Sequence, residues 1–261
     1  MWKEYYIYGI TMVLPGAAGA VFTPGNIRID TDSDFEFIKT AFTPSSARVR
    51  VKYRDDTNGR YLQKDSQDIR SIGGTTLTSL PAGAPTSLGL IPFIWPKPYI
   101  ISASTNFTVE ASDFSGAGEA AFRLAFHGSK IRPGQAPWDR KYRAMMPYVY
   151  PVSSTGTVTI GASGSLPVSI PTDNDAHFLV YKVVGARTGA AALTVKDGGR
   201  DRQWMNTEIH IDSFIGNGQF PNILASPRFI ARGSVLSLAL TDLSGAPNTV
   251  EINFIGVKLY E

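Results

Sequence analysis

Two acidic stretches carry the residue types from which a calcium site could be built. Asp30, Asp32 and Asp34 alternate along the chain, as carboxylates do at the start of a calcium-binding loop. The glycine and the distant glutamate that complete such a loop are missing. A turn in which Asp and Asn side chains accept hydrogen bonds from nearby backbone amides explains both this stretch and Asp173-Asn174-Asp175. We therefore favour turns over a metal site and predict no cofactor.

Residues for acid–base or nucleophilic catalysis are scarce. The chain has three histidines and no cysteine, which excludes disulfides, thiolate metal sites and a thiol nucleophile. His127 matches Ile255 in the repeat described below, and His210 interrupts an alternating strand, so we interpret His210 as a solvent-face residue and neither as catalytic. Paired carboxylates for glycoside cleavage stay open, because their separation of roughly 5 to 10 Å cannot be read from a sequence. The prediction is a protein that is not an enzyme.

Glycine-rich and aromatic segments are the other candidates for binding. Gly198-Gly199-Arg200 and Gly216-Asn217-Gly218 lack the following helix of a phosphate or dinucleotide site, so they indicate turns. Aromatic residues cluster near the start of the chain, before Pro96 and around residues 138–150. Such side chains either stack on sugars and fill partner pockets or plug the ends of a β-sandwich, and the sequence supports both equally.

The chain contains the same sequence pattern twice. Three blocks recur in the same order: residues 98–116 match 227–245 at an offset of 129, residues 126–131 match 254–259 at 128, and residues 29–37 match 170–178 at 141. Two copies of one domain therefore account for most of the 261 residues. Duplicated β-modules more often bind or assemble than catalyse.

Period-two alternation of apolar and polar residues predicts β-strands throughout, as in Arg48–Tyr53 and Val250–Phe254. Turn dipeptides such as Asn58-Gly59 separate these runs at short intervals. The predicted fold class is all-β, with two tandem homologous antiparallel β-sandwich or jelly-roll domains. We place the first at residues 1–131, a linker at 132–147 and the second at 148–261.

The first copy carries an insertion at about residues 75–88, which is rich in Ser, Thr, Pro and Gly but also in leucine. This composition suits an arm that docks on a neighbouring chain, and equally a tolerated loop. The candidate partner-contact residues are taken from the insertion and from the aromatic segments: Thr75, Leu77, Leu80, Leu88, Phe93, Trp95, Trp138 and Tyr142. Trp138 and Tyr142 are also expected to pack the domains together.

The composition of the chain argues against two classes of partner, nucleic acids and membranes. The net charge of +3 is mild, and the basic residues at 48–54 and 132–143 fall short of a nucleic-acid-binding stripe, so nucleic acid is an improbable partner. Apolar residues make up 43% of the chain, without a run long enough to span a membrane and without the pattern of a secretory signal. We expect a protein that is made in the host cytoplasm and does not bind membranes.

The closing hairpin of each copy resembles β-sandwich structural proteins of tailed-bacteriophage virions. The resemblance covers about 35 residues per copy, carried in the second copy by Pro227–Ile230, Ser237–Gly245 and Val250–Tyr260, and in the first by Pro98–Ile101, Glu110–Gly116 and Phe126–Ile131. It implies a virion role and no particular station. Our first hypothesis is a structural protein of the head surface or the head-to-tail collar, whose partners are further copies of itself and other virion proteins. The alternative is a carbohydrate- or receptor-binding module that uses Trp95, Trp138, Trp204 or tyrosines as stacking platforms.

Overall fold

The computed structural model describes residues 1–15, 22–43, 49–73, 75–76, 90–113, 119–199 and 201–261. Antiparallel β-sheets form nearly all of the regular structure, which confirms the predicted all-β class. One short helix, α1 (Ile69–Ile72), and one 3₁₀ turn (Ile211–Ser213) interrupt the strands in this part of the chain.

The first half of the chain builds two sheets that pack face to face. Sheet A contains, in spatial order, β1 (Trp2–Leu14), β11 (Glu119–Arg132), β3 (Phe35–Thr43) and β9 (Phe93–Ile101). Sheet B contains β2 (Thr23–Arg28), β10 (Asn106–Asp113), β4 (Val49–Asp55) and β5 (Arg60–Tyr61), with β6 (Gln67–Asp68) also paired to β4. A separate two-stranded ribbon is formed by β7 (Thr75–Thr76) and β8 (Leu90–Ile91).

The second half repeats this arrangement. Sheet C contains, in spatial order, β12 (Ala144–Pro151), β21 (Asn248–Tyr260), β15 (His177–Arg187) and β19 (Asn222–Ile230), with β13 (Thr157–Ile160) also paired to β21. Sheet D contains β14 (Ser165–Pro171), β20 (Val235–Asp242), β16 (Ala191–Asp197) and β17 (Arg202–Gln203), with β18 (Ile209–His210) also paired to β16. The same strand order in both halves supports the predicted duplication. The boundaries at 131 and 148 stay predictions, and β12 begins inside the predicted linker.

Strand register corrects one part of the sequence comparison. Lys130 pairs with Phe35 in sheet A, and Lys258 pairs with Phe178 in sheet C. Phe35 is thus equivalent to Phe178, 143 positions later, and the offset of 141 predicted for this block is wrong by two residues. The error has a physical cause: a shift of two residues leaves every side chain on the same face of its strand, so alternation alone cannot detect it.

Both halves contain the same irregularity in their outer sheet. The register of β3 against β11 skips Ile38, and the register of β15 against β21 skips Tyr181. A glycine lies opposite each skipped residue, Gly128 in β11 and Gly256 in β21. A Cβ atom at either glycine would lie 2.0 Å from a carbonyl oxygen of the neighbouring strand. The bulge therefore requires glycine at both positions.

Each sandwich has an apolar interior, but the interior of the second sandwich also includes side chains from the first half of the chain. Aromatic rings dominate the first, where Phe107 and Phe126 lie 5.2 Å apart between ring centroids and each lies within 6.1 Å of both Phe37 and Tyr53. The second, around the fully buried Trp204, also contains four side chains from the first half: Tyr5, Ile7, Ala41 and Ala125. The two halves therefore share a core.

The duplicated bulge gives a direct test of this fold. Replacing Gly256 by alanine should destabilise the protein by about 1–3 kcal/mol, because the backbone of β15 would have to move away from the new methyl group. Gly161→Ala is the matched control, since a Cβ atom there meets nothing within 4 Å. Chemical denaturation monitored by circular dichroism measures both. Equal stability of the two variants would contradict the register described here.

Candidate assembly surface

Residues 4–9 of strand β1 are buried on both sides of the sheet, and this joins the two halves. Tyr6 and Tyr8 point into the first sandwich, whereas Tyr5 and Ile7 point into the core of the second. The side of sheet A that faces the second half, here called the A face, consists of seven buried side chains: Tyr5, Ile7, Lys39, Ala41, Ala125, His127 and Ser129. The second half covers all of them.

Backbone pairing extends this contact to the free edge of β1. The Ile7 amide donates to the Trp204 carbonyl at 2.9 Å, and the Asn206 amide donates to the Ile7 carbonyl at 3.2 Å. The Asn206 side chain completes the pairing by accepting from the Gly9 amide at 2.6 Å and donating to the Gly9 carbonyl at 3.2 Å. The edge strand of sheet A is thus covered by residues 204–206 of the second half, so it offers no open hydrogen-bonding edge there.

An ionic cluster closes one end of the junction. Glu4 lies 3.1 Å from Arg228, 3.2 Å from Arg202 and 3.1 Å from Arg132. Burial alone would raise the pKa of Glu4, but the three guanidinium groups outweigh it and the pKa lies below its ordinary value. Arg228 is fully buried, donates to the Tyr5 carbonyl at 3.0 Å and lies over the Trp204 ring. Removing one partner would leave buried charge uncompensated, so this cluster holds the halves in one register.

Neutral polar contacts hold the middle of the junction. The Tyr5 hydroxyl lies 2.7 Å from His127 Nδ1, and Ser129 Oγ donates to Ser226 Oγ at 3.1 Å. Burial, reinforced by the positive charge of Lys39, holds the pKa of His127 well below its ordinary value. The histidine is therefore neutral at physiological pH, and its role at this position is structural.

The second half has an equivalent surface that no part of the described chain covers to the same extent. Strand register places seven residues of sheet C at the positions of the A face; they form the C face: Pro147, Val149, Lys182, Val184, Asn253, Ile255 and Val257. Pro147, Val149 and Lys182 are exposed and the other four are half-buried. Five of the seven are apolar, more than on the A face, where Tyr5, Ile7 and two alanines share the surface with three polar residues. A more apolar surface is thus more open to solvent, which is the signature of an interaction site.

The segment between the halves covers only the rim of the C face. Trp138 and Tyr142 pack against Leu179, Phe229 and Leu259, and the Trp138 ring meets Trp2 of β1 edge-on at 5.4 Å. This agrees with the expectation that Trp138 packs the halves together; the ring of Tyr142 meets His177 of the second half, and its hydroxyl donates to the Pro137 carbonyl. Their predicted contact with a partner chain is not tested by this packing.

The other predicted contact residues divide into two groups. Phe93 and Trp95 lie in β9, with Trp95 turned inward against Phe37 and Tyr53 and donating to Thr40 Oγ1 at 2.9 Å. Ile94, which the sequence did not single out, points outward from the same strand and is 66% exposed. The backbone of Thr75 lies in β7, whereas Leu77, Leu80 and Leu88 lie outside the described residues.

Two sequence interpretations are wrong. Trp204, proposed as a stacking platform, is fully buried, and His210, interpreted as a solvent-face residue, is 4% exposed. Both residues lie where the first half packs on the second. The strand alternation around His210 predicted a solvent-exposed face, but another part of the chain covers that face. The remaining tryptophans, Trp2, Trp95 and Trp138, are half-buried.

The acidic stretches lie in a turn at Thr31–Asp32 and a bend at Asn174–Asp175, as predicted, but their carboxylates bind lysines and not nearby backbone amides. Lys130 Nζ lies 2.5 Å from Asp30 and 3.2 Å from Asp32 and sits over the Tyr6 ring. In the second half, Lys258 makes the same contacts with Asp173 at 2.5 Å, with Asp175 at 3.4 Å and with the Tyr148 ring. Asp34 accepts from the backbone amide of Ala103, which is distant in sequence. A repeated cation therefore neutralises these carboxylates.

Metal-binding clusters and membrane-spanning helices are not found in the described part of the chain. Within the described ranges, no cluster of three or more His, Cys, Asp or Glu side chains is arranged to hold a metal ion. No helix in this part of the chain has the length and apolarity needed to cross a membrane.

Comparison with known proteins yields weak structural similarities. No protein-family model matches the sequence, and no curated protein is significantly similar to it. The naturally occurring empty particles of cowpea mosaic virus contain a chain 11% identical over 99% of this chain and 88% of its own, with a TM-score of 0.24. Broad bean stain virus gives 10% identity, coverages of 97% and 88% and a TM-score of 0.21. The CBM22-1–CBM22-2 tandem domain of Paenibacillus barcinonensis Xyn10C gives 9% identity, coverages of 98% and 93% and a TM-score of 0.19. At such scores these similarities assign no function.

The buried histidine at the junction predicts a pH dependence of stability. Burial is the main cause that lowers the pKa of His210 to about 4, with Arg187 and Arg123 adding to it and Asp212 opposing it. The unfolded chain binds a proton near pH 6.5 and the folded chain does not, so stability should fall as pH drops from about 6.5 to about 4, by about 3 kcal/mol at most. His210→Asn keeps an acceptor for the Asp212 amide and removes this titration, so its free energy of unfolding should depend less on pH.

Denaturation curves from pH 8 to pH 4 measure the difference. At pH 8 neither state protonates the histidine, so the comparison there isolates any loss of packing. An identical slope with pH in both proteins would show that His210 is not buried as described.

Proposed function

We propose that this chain is a non-enzymatic structural protein of a tailed-bacteriophage virion, which assembles through its C face with further copies of itself and with other virion proteins. We place it on the head surface or at the head-to-tail collar as part of this proposal; the resemblance of the closing hairpins supports a virion role and no particular station. The observation that carries the proposal is the difference between two equivalent faces: the A face is covered by a sandwich of the same fold, whereas the described residues leave the more apolar C face more exposed to solvent.

The junction supports this by showing what the face of this module can bind. The A face of the first sandwich packs against the side of the second sandwich that lies between the edge strand β19 and the edge strands β17 and β18. This contact combines apolar burial with backbone hydrogen bonds. A second chain could cover the C face by the same physical means. Head-to-tail contact of this kind is heterologous, so it closes into a ring or propagates along an array, as virion symmetry requires.

The rigidity of the chain also supports a role in assembly. The ionic cluster around Glu4 and the shared core fix the two sandwiches relative to each other, so the C face is presented in one orientation. A preorganised face loses little conformational freedom on binding. The glycan-binding alternative has less support from the tryptophans, because Trp204 is buried and the other three are half-buried; Tyr61 and Tyr181, each 40% exposed, are the stacking residues that it would have to use.

A charge placed on the C face tests the proposed contact. Sedimentation velocity at increasing concentration should show self-association of the unaltered chain, and Val149→Lys should weaken it at least ~10-fold, because an unpaired ammonium would be buried in the contact. Val149 is 45% exposed, so the substitution should leave the fold intact. Val235→Lys, on sheet D and 36% exposed, is the matched control and should assemble normally. A chain that stays monomeric, or a Val149→Lys variant that assembles normally, would contradict the use of this face.

The virion assignment has its own test. Quantitative mass spectrometry of purified phage particles should find the chain at a fixed copy number that matches a symmetry of the head or collar. Its consistent absence from particles that contain the other head and tail proteins would overturn the assignment, even if the chain self-associates.

A further inference from the structure

A pocket of about 290 Å³ lies at the edge of the junction, between the two halves. Strand β9 and the residue before it supply one wall, the start of β19 and the preceding turn supply the other, and one lysine lies beneath; the lining residues are Lys39, Pro92, Ile94, Gln219, Phe220, Pro221 and Ile223. Ile94, Phe220 and Ile223 expose between 49% and 66% of their surface. The pocket is thus apolar except for Gln219 and the lysine.

Lys39 is charged but has no anionic partner among the described residues. Its ammonium donates to Asn222 Oδ1 and to the Ile223 carbonyl, both at 2.7 Å, and both acceptors are neutral. None of the ion pairs formed within the described chain includes Lys39. A lysine ammonium has three N–H donors, so one is left for a further acceptor. Burial lowers the pKa of Lys39 to about 8, and the group is still mainly protonated at pH 7.

The second half shows that this burial is a property of the junction and not of the module. Lys182 occupies the equivalent position: it pairs with Ile223 as Lys39 pairs with Ile94. Lys182 is exposed to solvent, where an ammonium needs no partner, whereas Lys39 is only 6% exposed. A buried cation is costly unless an anion compensates it.

We propose that this pocket binds a small amphiphilic carboxylate, whose carboxylate accepts from Lys39 while its hydrocarbon chain lies against Ile94, Phe220 and Ile223. Charge complementarity selects the head group, since Lys39 is the one charged side chain among the described residues that line the pocket. The apolar walls select the tail, and a site at the boundary of two packed sandwiches is a usual place for such a ligand. The inference does not depend on the proposed virion role.

Calorimetric titration of the full-length chain with octanoate tests the site, with 1-octanol as the neutral analogue. We expect saturable binding of octanoate, a loss of at least ~10-fold in affinity in Lys39→Met, and no change in Lys182→Met, the matched control. 1-Octanol should bind at least ~10-fold more weakly than octanoate, since it cannot pair with the ammonium.

A second variant guards against misfolding of Lys39→Met. Ile94→Glu changes an exposed side chain at the rim, should leave the fold intact and should abolish octanoate binding by repelling the carboxylate. The proposal fails if octanoate shows no saturable binding, if 1-octanol binds as well, or if folded Lys39→Met or Ile94→Glu keeps the affinity of the unaltered chain. None of these results bears on self-association, which the Val149→Lys experiment measures separately.

Discussion

The structure depends on a β-strand that belongs to two cores at once. In β1, Tyr6 and Tyr8 complete the first sandwich while Tyr5 and Ile7 complete the second. A strand with one wet face would leave the second sandwich open between the edges of its two sheets. Because Tyr5–Tyr8 of β1 are buried on both faces, the second half depends on the first for part of its apolar interior. Charged groups buried at the margin of this contact need partners nearby, as Glu4 has in its three arginines.

This constraint makes the two copies of the module functionally different although their strand order is the same. The outer face of the first copy is buried in the intramolecular junction. There Lys39 and Ser129 form hydrogen bonds with Asn222 and Ser226 of the second copy, and His127 bonds Tyr5 of its own copy. In the second copy His127 and Ser129 are replaced by Ile255 and Val257, and the described residues cover this face less than the A face. Duplication thus leaves one packing surface covered and one less covered within the described chain, which is the physical basis of the proposed assembly role and of the proposed ligand pocket at the junction margin.

Much of the fold could be predicted from the sequence, because strand alternation and turn residues are local signals. The all-β class and the two copies rest on such signals. The errors arise where the decisive information is not local. A two-residue shift preserves alternation, so the sequence comparison aligned Asp30 with the wrong partner, although Lys130 and Lys258 mark the true equivalence. His210 has a strand pattern typical of a partly exposed sheet, and both it and Trp204 are buried where the first half packs on the second, through contacts with residues that are distant in sequence.

The candidate site was harder to predict for the same reason. The sequence singled out large aromatic residues, and Trp95 and Trp138 prove to be committed to internal contacts. The C face consists of ordinary strand residues such as Val149 and Ile255, whose significance appears only when each is compared with the buried residue at the equivalent position of the first half. In the sequence, Lys39 likewise has the pattern of a solvent-exposed polar residue in an alternating strand, whereas in the structure the second half covers it.

The most direct test of the central claim is an electron cryomicroscopy map of the assembled protein at side-chain resolution. We expect Val149 and Ile255 of each interior copy to be covered by a neighbouring protein, with the junction around Glu4 and Arg228 unchanged from the isolated chain. A map in which the C face is open to solvent in every copy, and the contacts between chains lie elsewhere, would contradict the account.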